Sequence, residues 1–435
     1  MNIFFHYLGC KVNQYDTEAM TEQFRNAGWS VAAEPEDAQV IVVSSCTVTA
    51  ESDRKTRQMV RHFRRVSPGA VIVLTGCMPQ AYPDKAEQLT DADIVADNRA
   101  PEKVLRLTEQ YLRDHAGGRA AEDRVLDVTP HDRRLEFFEE TPIETFTGRT
   151  RAFIKVQDGC NRFCSFCIIP TARGRSRSRS LESIEAELKS IKAAGYREVV
   201  LVGINFCCYG LDNGLSFTDP IELACSMGFD RVRIGSLEFD NITDGAIARL
   251  AALPNFCPQF HMSLQSGCDV TLKRMNRHYT CSEYAALCQK LRQAFPDAAI
   301  TTDIMTGFPL ETEEEFQETL DFARTIGFEK IHVFPYSPRE GTRAAELTPQ
   351  VPKAVKTERC RRMIAAGNEI RDAFLHRQIG RTVRVLCETY ENGVVEGYTE
   401  NYTPVRFRSD RSYHNEIVSV NIVAVEDDAC VGIRS

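Results

Sequence analysis

Three apolar runs punctuate the first eighty residues, and a cysteine follows each. The run at 2–8 stops at Gly9-Cys10, that at 39–43 at Ser44-Ser45-Cys46, and that at 70–74 at Thr75-Gly76-Cys77. Apolar residues at consecutive rather than alternate positions suit strands buried on both faces of a parallel sheet. Helical patterns at 16–26 and 52–65 lie between them. From about 114 to 147 the chain turns polar and charged, which marks a boundary and linker with one short strand near 124–128. The β/α alternation then resumes, with strands expected at 152–156, 198–201, 231–235, 259–264, 299–304 and 330–334. Helices are expected at 180–194, 244–253, 282–294 and 312–326. A helical stretch at 355–378 leads to short β-rich segments at 382–386, 393–399, 405–408 and 416–425. The pattern predicts an α/β protein in three parts. A parallel α/β domain occupies 1–135, a partial six-strand β/α barrel 146–372, and a small five-stranded barrel 375–435. A flat doubly wound sheet is the alternative for the central part.

Composition narrows the setting. With 435 residues, 43% hydrophobic and 26% charged, the chain is an ordinary globular sequence of two or three domains. No apolar run reaches membrane-spanning length, and Met1-Asn2-Ile3-Phe4-Phe5-His6 lacks the basic start and apolar core of a signal peptide. The expectation is a cytoplasmic protein with no membrane partner. In that reducing compartment 16 cysteines point to metal ligation or free thiols rather than disulfides. A net charge of −8 argues against a general nucleic-acid coat but leaves room for a local basic groove.

The chemistry concentrates in Asp158-Gly159-Cys160-Asn161-Arg162-Phe163-Cys164-Ser165-Phe166-Cys167. Three thiolates on so short a loop can grip one face of an iron–sulfur cube and leave one iron open to chelate a small molecule. A zinc knuckle is the alternative, although no nearby Cys or His offers a good fourth ligand. Cys10, Cys46 and Cys77 all follow strand C-termini, where ligands gather in open α/β sheets, so they could form a second three-thiolate site. Each could equally be a small residue closing a strand. Arg54, Lys55 and Arg57 begin a basic helix after Cys46, which is either a solvated face or a phosphate-binding one. Arg173, Arg175 and Arg177 alternate with small residues beside the central cysteines and favour a substrate-side role. Polar residues crowd the ends of the barrel strands: Gly203 and Asn205, Ser236 and Glu238, Gln265, Asp303, then Phe334, Tyr336 and Arg339. As a ring they read as a cofactor and substrate pocket. The other ten cysteines show no repeated ligand spacing.

The cysteine spacing of the central loop resembles the radical S-adenosylmethionine (SAM) superfamily, in which Phe166 would stand beside the SAM adenine and Gly203 and Asn205 near its methionine end. Leu8-Gly9-Cys10-Lys11-Val12-Asn13-Gln14-Tyr15, Cys46-Thr47-Val48-Thr49 and Thr75-Gly76-Cys77 resemble the motifs of its methylthiotransferase family. The match is nearest to the branch acting on threonylcarbamoyladenosine at tRNA position 37. The family carries Asn near Ser44 and Ser45, and glycine where Leu310 stands. The C-terminal segment resembles the TRAM domain, an OB-like RNA-binding module, yet it holds seven Lys/Arg against nine Asp/Glu from His376 onward.

The resemblance implies two [4Fe-4S] clusters, on Cys10/Cys46/Cys77 and on Cys160/Cys164/Cys167. It also implies SAM as cofactor, the tRNA anticodon stem-loop as partner, and a low-potential electron donor such as flavodoxin or ferredoxin. One SAM would methylate a sulfur held at the first cluster; another, cleaved reductively at the second, would yield the radical that opens the adenine C2–H. Related alternatives are an isopentenyladenosine or ribosomal-protein aspartate substrate. The alternative of another class is an iron-free RNA-binding protein.

Overall fold

The computed structural model describes every residue except 116, 121–122, 132–136, 139, 141–142 and 144–149. The expected start of the central part near 146 lies outside the described residues. The N-terminal part is a six-stranded, wholly parallel sheet in the order Ser30–Val31, Asn2–Tyr7, Val40–Ser45, Val71–Gly76, Ile94–Ala96, Val125–Asp127. Val40–Ser45 and Val71–Gly76 are buried at every position, as their unbroken apolar runs require. Strand Ile94–Ala96 and helix Pro101–Asp114 are additions to the sequence reading. Three residues carry too little pattern to declare a strand.

The central part is a partial barrel. Arg151–Asp158, Glu198–Gly203 and Arg231–Ile234 belong to one sheet, with Arg177–Ser178 antiparallel at its edge; Ser236–Leu237, Gln259–Met262, Ala299–Thr306 and Lys330–Pro335 form a second, which follows beyond Gly235. Apart from that edge strand, these strands pair in parallel and follow one another in chain order, without the reversal that a flat doubly wound sheet requires. Helix starts follow their local chemistry. Thr280 and Thr312 each close a capping box with Glu283 and Glu315, and Ser180 caps Leu181–Ala193 by accepting from the Ser183 amide.

Helix Lys353–His376 runs unbroken from the barrel into the C-terminal part. There, five strands close a barrel in the order Thr382–Glu391, Val394–Tyr398, Pro404–Arg408, Ala429–Arg434, Ile417–Glu426. It docks on the N-terminal ends of the central strands, where Arg231 donates to the carbonyls of Tyr398 and Arg384, both at 2.7 Å. At the opposite, C-terminal ends sits the N-terminal part. Helix Lys11–Asn26 bridges the two, burying Val12, Tyr15 and Ala19 in the barrel's core and Met20 and Phe24 in that of its own sheet.

Candidate functional site

Glycine lets the three N-terminal cysteine loops meet. Gly9 holds φ at +107°, and a Cβ there would stand 2.8 Å from Cys46 Cβ and 2.9 Å from its Sγ. Gly76 holds φ at +95°, with the Ser45 backbone 2.5 Å from where its Cβ would be. Asn13, one turn into the first helix, donates to the carbonyls of Leu8 at 2.6 Å and Ser45 at 3.2 Å. Ser45, near which the family carries Asn, donates its hydroxyl to Thr75 O at 2.6 Å and accepts from the Met78 amide at 3.1 Å. Cys10, Cys46 and Cys77 thus lie within electrostatic reach of one another.

The central loop is built alike. Gly159 sits at φ +70°, against the carbonyl of Arg175. N–H groups converge on its sulfurs. The Arg162 amide reaches Cys160 Sγ at 3.4 Å, Asn205 Nδ2 the same sulfur at 3.8 Å, and Arg277 Nη1 reaches Cys164 Sγ at 3.4 Å. Donors aimed at sulfur are what a ligating thiolate requires. Burial pushes the thiols of Cys77 and Cys160 up to about 12, and that of Cys167 upward too, so cluster binding must displace their protons. Among the described residues no three His, Cys, Asp or Glu side chains converge on a point fit for a single ion. Cubane ligands bind different irons and stand farther apart than that. The donor set therefore fits the clusters. Buried Asn205 Oδ1 and Gln265 Oε1 are unpaired beside this loop and the adjoining strand end, which fits a polar cofactor such as SAM.

The remaining pocket residues divide into groups. Glu238 pairs with Arg277, whose guanidinium also donates to Ser263 O at 2.6 Å. Phe166 packs edge-on to Phe308, which packs edge-on to Tyr336, with Phe334 alongside. Gln265 accepts from the Met305 amide and donates its own to Asp303 O. Leu310, where glycine was expected, adopts φ +68° and so keeps glycine's backbone conformation. Gly203, Ser236 and Asp303 line one hollow of about 1060 Å³ together with Cys10 and Lys11. Tyr398, Tyr402 and Arg406 of the C-terminal barrel line it too. A second hollow of about 500 Å³ opens on Cys164, Cys167, Phe163, Arg175 and Arg343.

Several expected RNA contacts are corrected. Arg173 is buried, donating to Asn13 Oδ1 at 3.0 Å and pairing with Asp16 at 2.9 Å and Asp158 at 3.2 Å. It thereby ties the helix after Cys10 to the loop before Cys160. Arg177 is buried and donates to Arg173 O at 2.7 Å. Arg339 is buried and clamps the loop after Cys46, reaching Thr47 Oγ1 at 2.7 Å and Asp53 at 2.6 Å. Arginine spacing cannot tell an internal bolt from a phosphate grip, because the carboxylates that decide it come from distant segments. Arg175 stays partly exposed, its guanidinium 4.6 Å above the Phe163 ring. Arg54 is exposed and paired with Glu51; Lys55 is exposed and Arg57 partly so. Tyr398 and Tyr402 stack on each other at 4.5 Å with Arg151 over both, and Phe407 is core. Arg277 was not anticipated, since Met275-Asn276-Arg277 gives no cue to its burial against a cysteine.

Comparison with known proteins agrees with this architecture. Residues 2–97 match the family described as "Uncharacterized protein family UPF0004", and residues 154–323 match the radical SAM superfamily. The chain is 37% identical to the threonylcarbamoyladenosine tRNA methylthiotransferase MtaB of Bacillus subtilis (strain 168), over 96% of this chain and 93% of that one. It is 32% identical to a tRNA-2-methylthio-N(6)-dimethylallyladenosine synthase of Pelotomaculum thermopropionicum, over 98% and 96%. The radical SAM methyltransferase TsrM of Kitasatospora setae, solved with cobalamin and a [4Fe-4S] cluster, shares the fold at TM-score 0.54 and 14% identity, covering 78% of this chain and 76% of that one. Two cysteine trios on an α/β domain and a partial barrel, and 32–37% identity over nearly the full length of the two tRNA methylthiotransferases, make the chain a member of the radical SAM methylthiotransferase family.

Proposed function

We propose that this protein adds a methylthio group to C2 of N6-threonylcarbamoyladenosine at position 37 of tRNA. The supporting observation is the shared hollow, in which Cys10 from the N-terminal trio faces the barrel's strand ends and the C-terminal barrel. Cys10, Cys46 and Cys77 would hold one [4Fe-4S] cluster and Cys160, Cys164 and Cys167 the other, with SAM at the open iron of the second. Bound there, these groups supply one-electron chemistry able to open an unactivated C–H bond, and a sulfur source.

The protein's own residues bind, orient and insulate. Asn205 and Arg277 donate to the sulfurs of Cys160 and Cys164, which fixes them and would tune a cluster bound there. Glu238, held by Arg277, would offer its carboxylate to the SAM ribose or ammonium. Phe166 and Phe308 would give the adenine an apolar wall. Gly203, Ser236 and Asp303 line the hollow beside Cys10. The C-terminal barrel floors the hollow and shields it from water, which a radical reaction requires. Of the cations expected to meet RNA, Arg54, Lys55, Arg57 and Arg175 keep at least partial exposure and would meet the anticodon stem-loop phosphates. A low-potential donor of the flavodoxin or ferredoxin type supplies the electron.

Mass spectrometry of tRNA nucleosides from a strain lacking this gene is the test. The expected outcome is loss of the methylthio mark with the threonylcarbamoyl group retained, restored by the intact gene and not by a Cys46→Ala copy. Loss of the mark from isopentenyladenosine instead would reassign the substrate.

A further inference from the structure

The wall of the large hollow carries, beside Cys10, a lysine that forms no ion pair among the described residues. Its arginines are all engaged. Arg233 pairs with Glu198 at 3.0 Å and donates to Glu400 O, Arg371 pairs with Glu329 and Asp428, and Arg406 pairs with Glu396 at 2.5 Å. Lys330 stands at the start of strand Lys330–Pro335, next to Glu329 and away from Cys10 at the strand C-terminal ends. Lys11 differs. It is solvent-accessible, lines the hollow next to Cys10, and forms no hydrogen bond or ion pair among the described residues. Its ammonium stands 5.8 Å from the Phe153 ring centroid, inside the barrel. Glu198, the carboxylate nearest in charge terms, already serves three arginines. A cation held in a walled hollow without a partner is a site for an anion that arrives from outside.

The proposed substrate carries such an anion. A threonylcarbamoyl group joins adenine N6 to the threonine nitrogen and leaves the threonine carboxyl free, and it is ionised at neutral pH. The dimethylallyl group of the related substrates is a neutral hydrocarbon. We propose that Lys11 receives the threonyl carboxylate and so selects threonylcarbamoyladenosine over adenosines with a neutral N6 substituent. This rests on the substrate reading above. A charge-assisted hydrogen bond to a carboxylate contributes roughly ten- to hundredfold in affinity.

The test uses the full-length, iron-reconstituted protein and anticodon stem-loop RNAs bearing N6-threonylcarbamoyladenosine, its methyl ester, or N6-dimethylallyladenosine at the target position. Equilibrium binding without SAM, KM and kcat are measured for the unaltered protein and for Lys11→Gln, Lys11→Met and Lys11→Arg, with iron content alongside. The expected result is a roughly ten- to hundredfold loss of binding to the acid in the Gln and Met variants, falling on KM more than on kcat, with iron unchanged and partial rescue in Lys11→Arg. The unaltered protein should bind the ester weaker than the acid by a similar factor. Acid and ester bound and turned over equally by the unaltered protein would overturn the proposal, even if the variants lose iron and cannot be compared. Variants that bind the acid at full strength would overturn it too. If the unaltered protein methylthiolates no threonylcarbamoyl RNA, the substrate reading itself falls; turnover that is indifferent to Lys11 and to the ester removes only this inference.

Discussion

Gly9 shows how little room separates success from failure at the first cysteine trio. Its φ of +107° is a conformation that side chains resist, and any Cβ would enter the space of Cys46. Gly9→Ala should therefore push the Cys10 loop away from Cys46. The expected outcome is a protein that reconstitutes only the iron of the Cys160 loop and forms no methylthio product, measured by iron and sulfide assay with electron paramagnetic resonance. Wild-type iron content would contradict the geometry. Leu310 is the opposite case, a leucine at φ +68° where the family carries glycine. Such a residue costs on the order of 1–2 kcal/mol relative to glycine. At this scale the cysteine motifs were legible in the sequence, because ligand spacing is a local property. Arg277 and the unpaired state of Lys11 were not, because both are defined by neighbours far along the chain.

Among the elements, two helices carry the most consequence. Helix Lys11–Asn26 was foreseen from residue 16 onward, yet it begins at once after Cys10 and has two buried faces that belong to different cores. Periodicity reports that a face is apolar, not what covers it. Helix Ala50–Val66 is capped by Thr49, which accepts from the Ser52 amide, and it holds Lys55 and Arg57 at or near the surface beside the second cysteine loop. Its partly solvated face leaves both sequence readings standing, and they separate by experiment. Lys55→Ala and Arg57→Ala should each weaken tRNA binding and lower the slope of log affinity against log salt by about one. Filter binding across salt concentrations is the measurement, and unchanged slopes would make the helix face merely solvated. The Arg173–Arg177 run is the corrected element. Short strand Arg177–Ser178 pairs antiparallel with Arg151–Asp158 and sets Arg177 opposite Asp158, while Arg173, at the end of helix Ile169–Arg173, is held by Asp16 and Asp158.

For the whole molecule, the joint between the central and C-terminal barrels turns on Glu198. It is buried, with Arg151 and Arg233 at 3.0 Å and Arg231 at 3.7 Å. Burial opposes its charge, but the arginines hold its carboxyl below the ordinary 4.5. The folded chain thus releases this proton more readily than the unfolded one, so the contribution is complete above that value and is lost as pH falls below it. Glu198→Gln leaves buried Arg233 without its carboxylate and takes one of two carboxylates from Arg151 and from Arg231, and should cost about 3–5 kcal/mol. Thermal melts from neutral to acid pH should show a lower Tm and a shallower acid slope in the variant. An unchanged Tm would mean that the joint is held elsewhere. The sequence by itself determined the three-part α/β organisation, the two cysteine trios and the family, because apolar period, turn residues and ligand spacing are written along the chain. The tertiary structure alone decided which arginines are bolts, what floors the hollow, and that Lys11 stands unpaired beside Cys10. Those facts depend on charges brought together from segments hundreds of residues apart, and burial sets their strength.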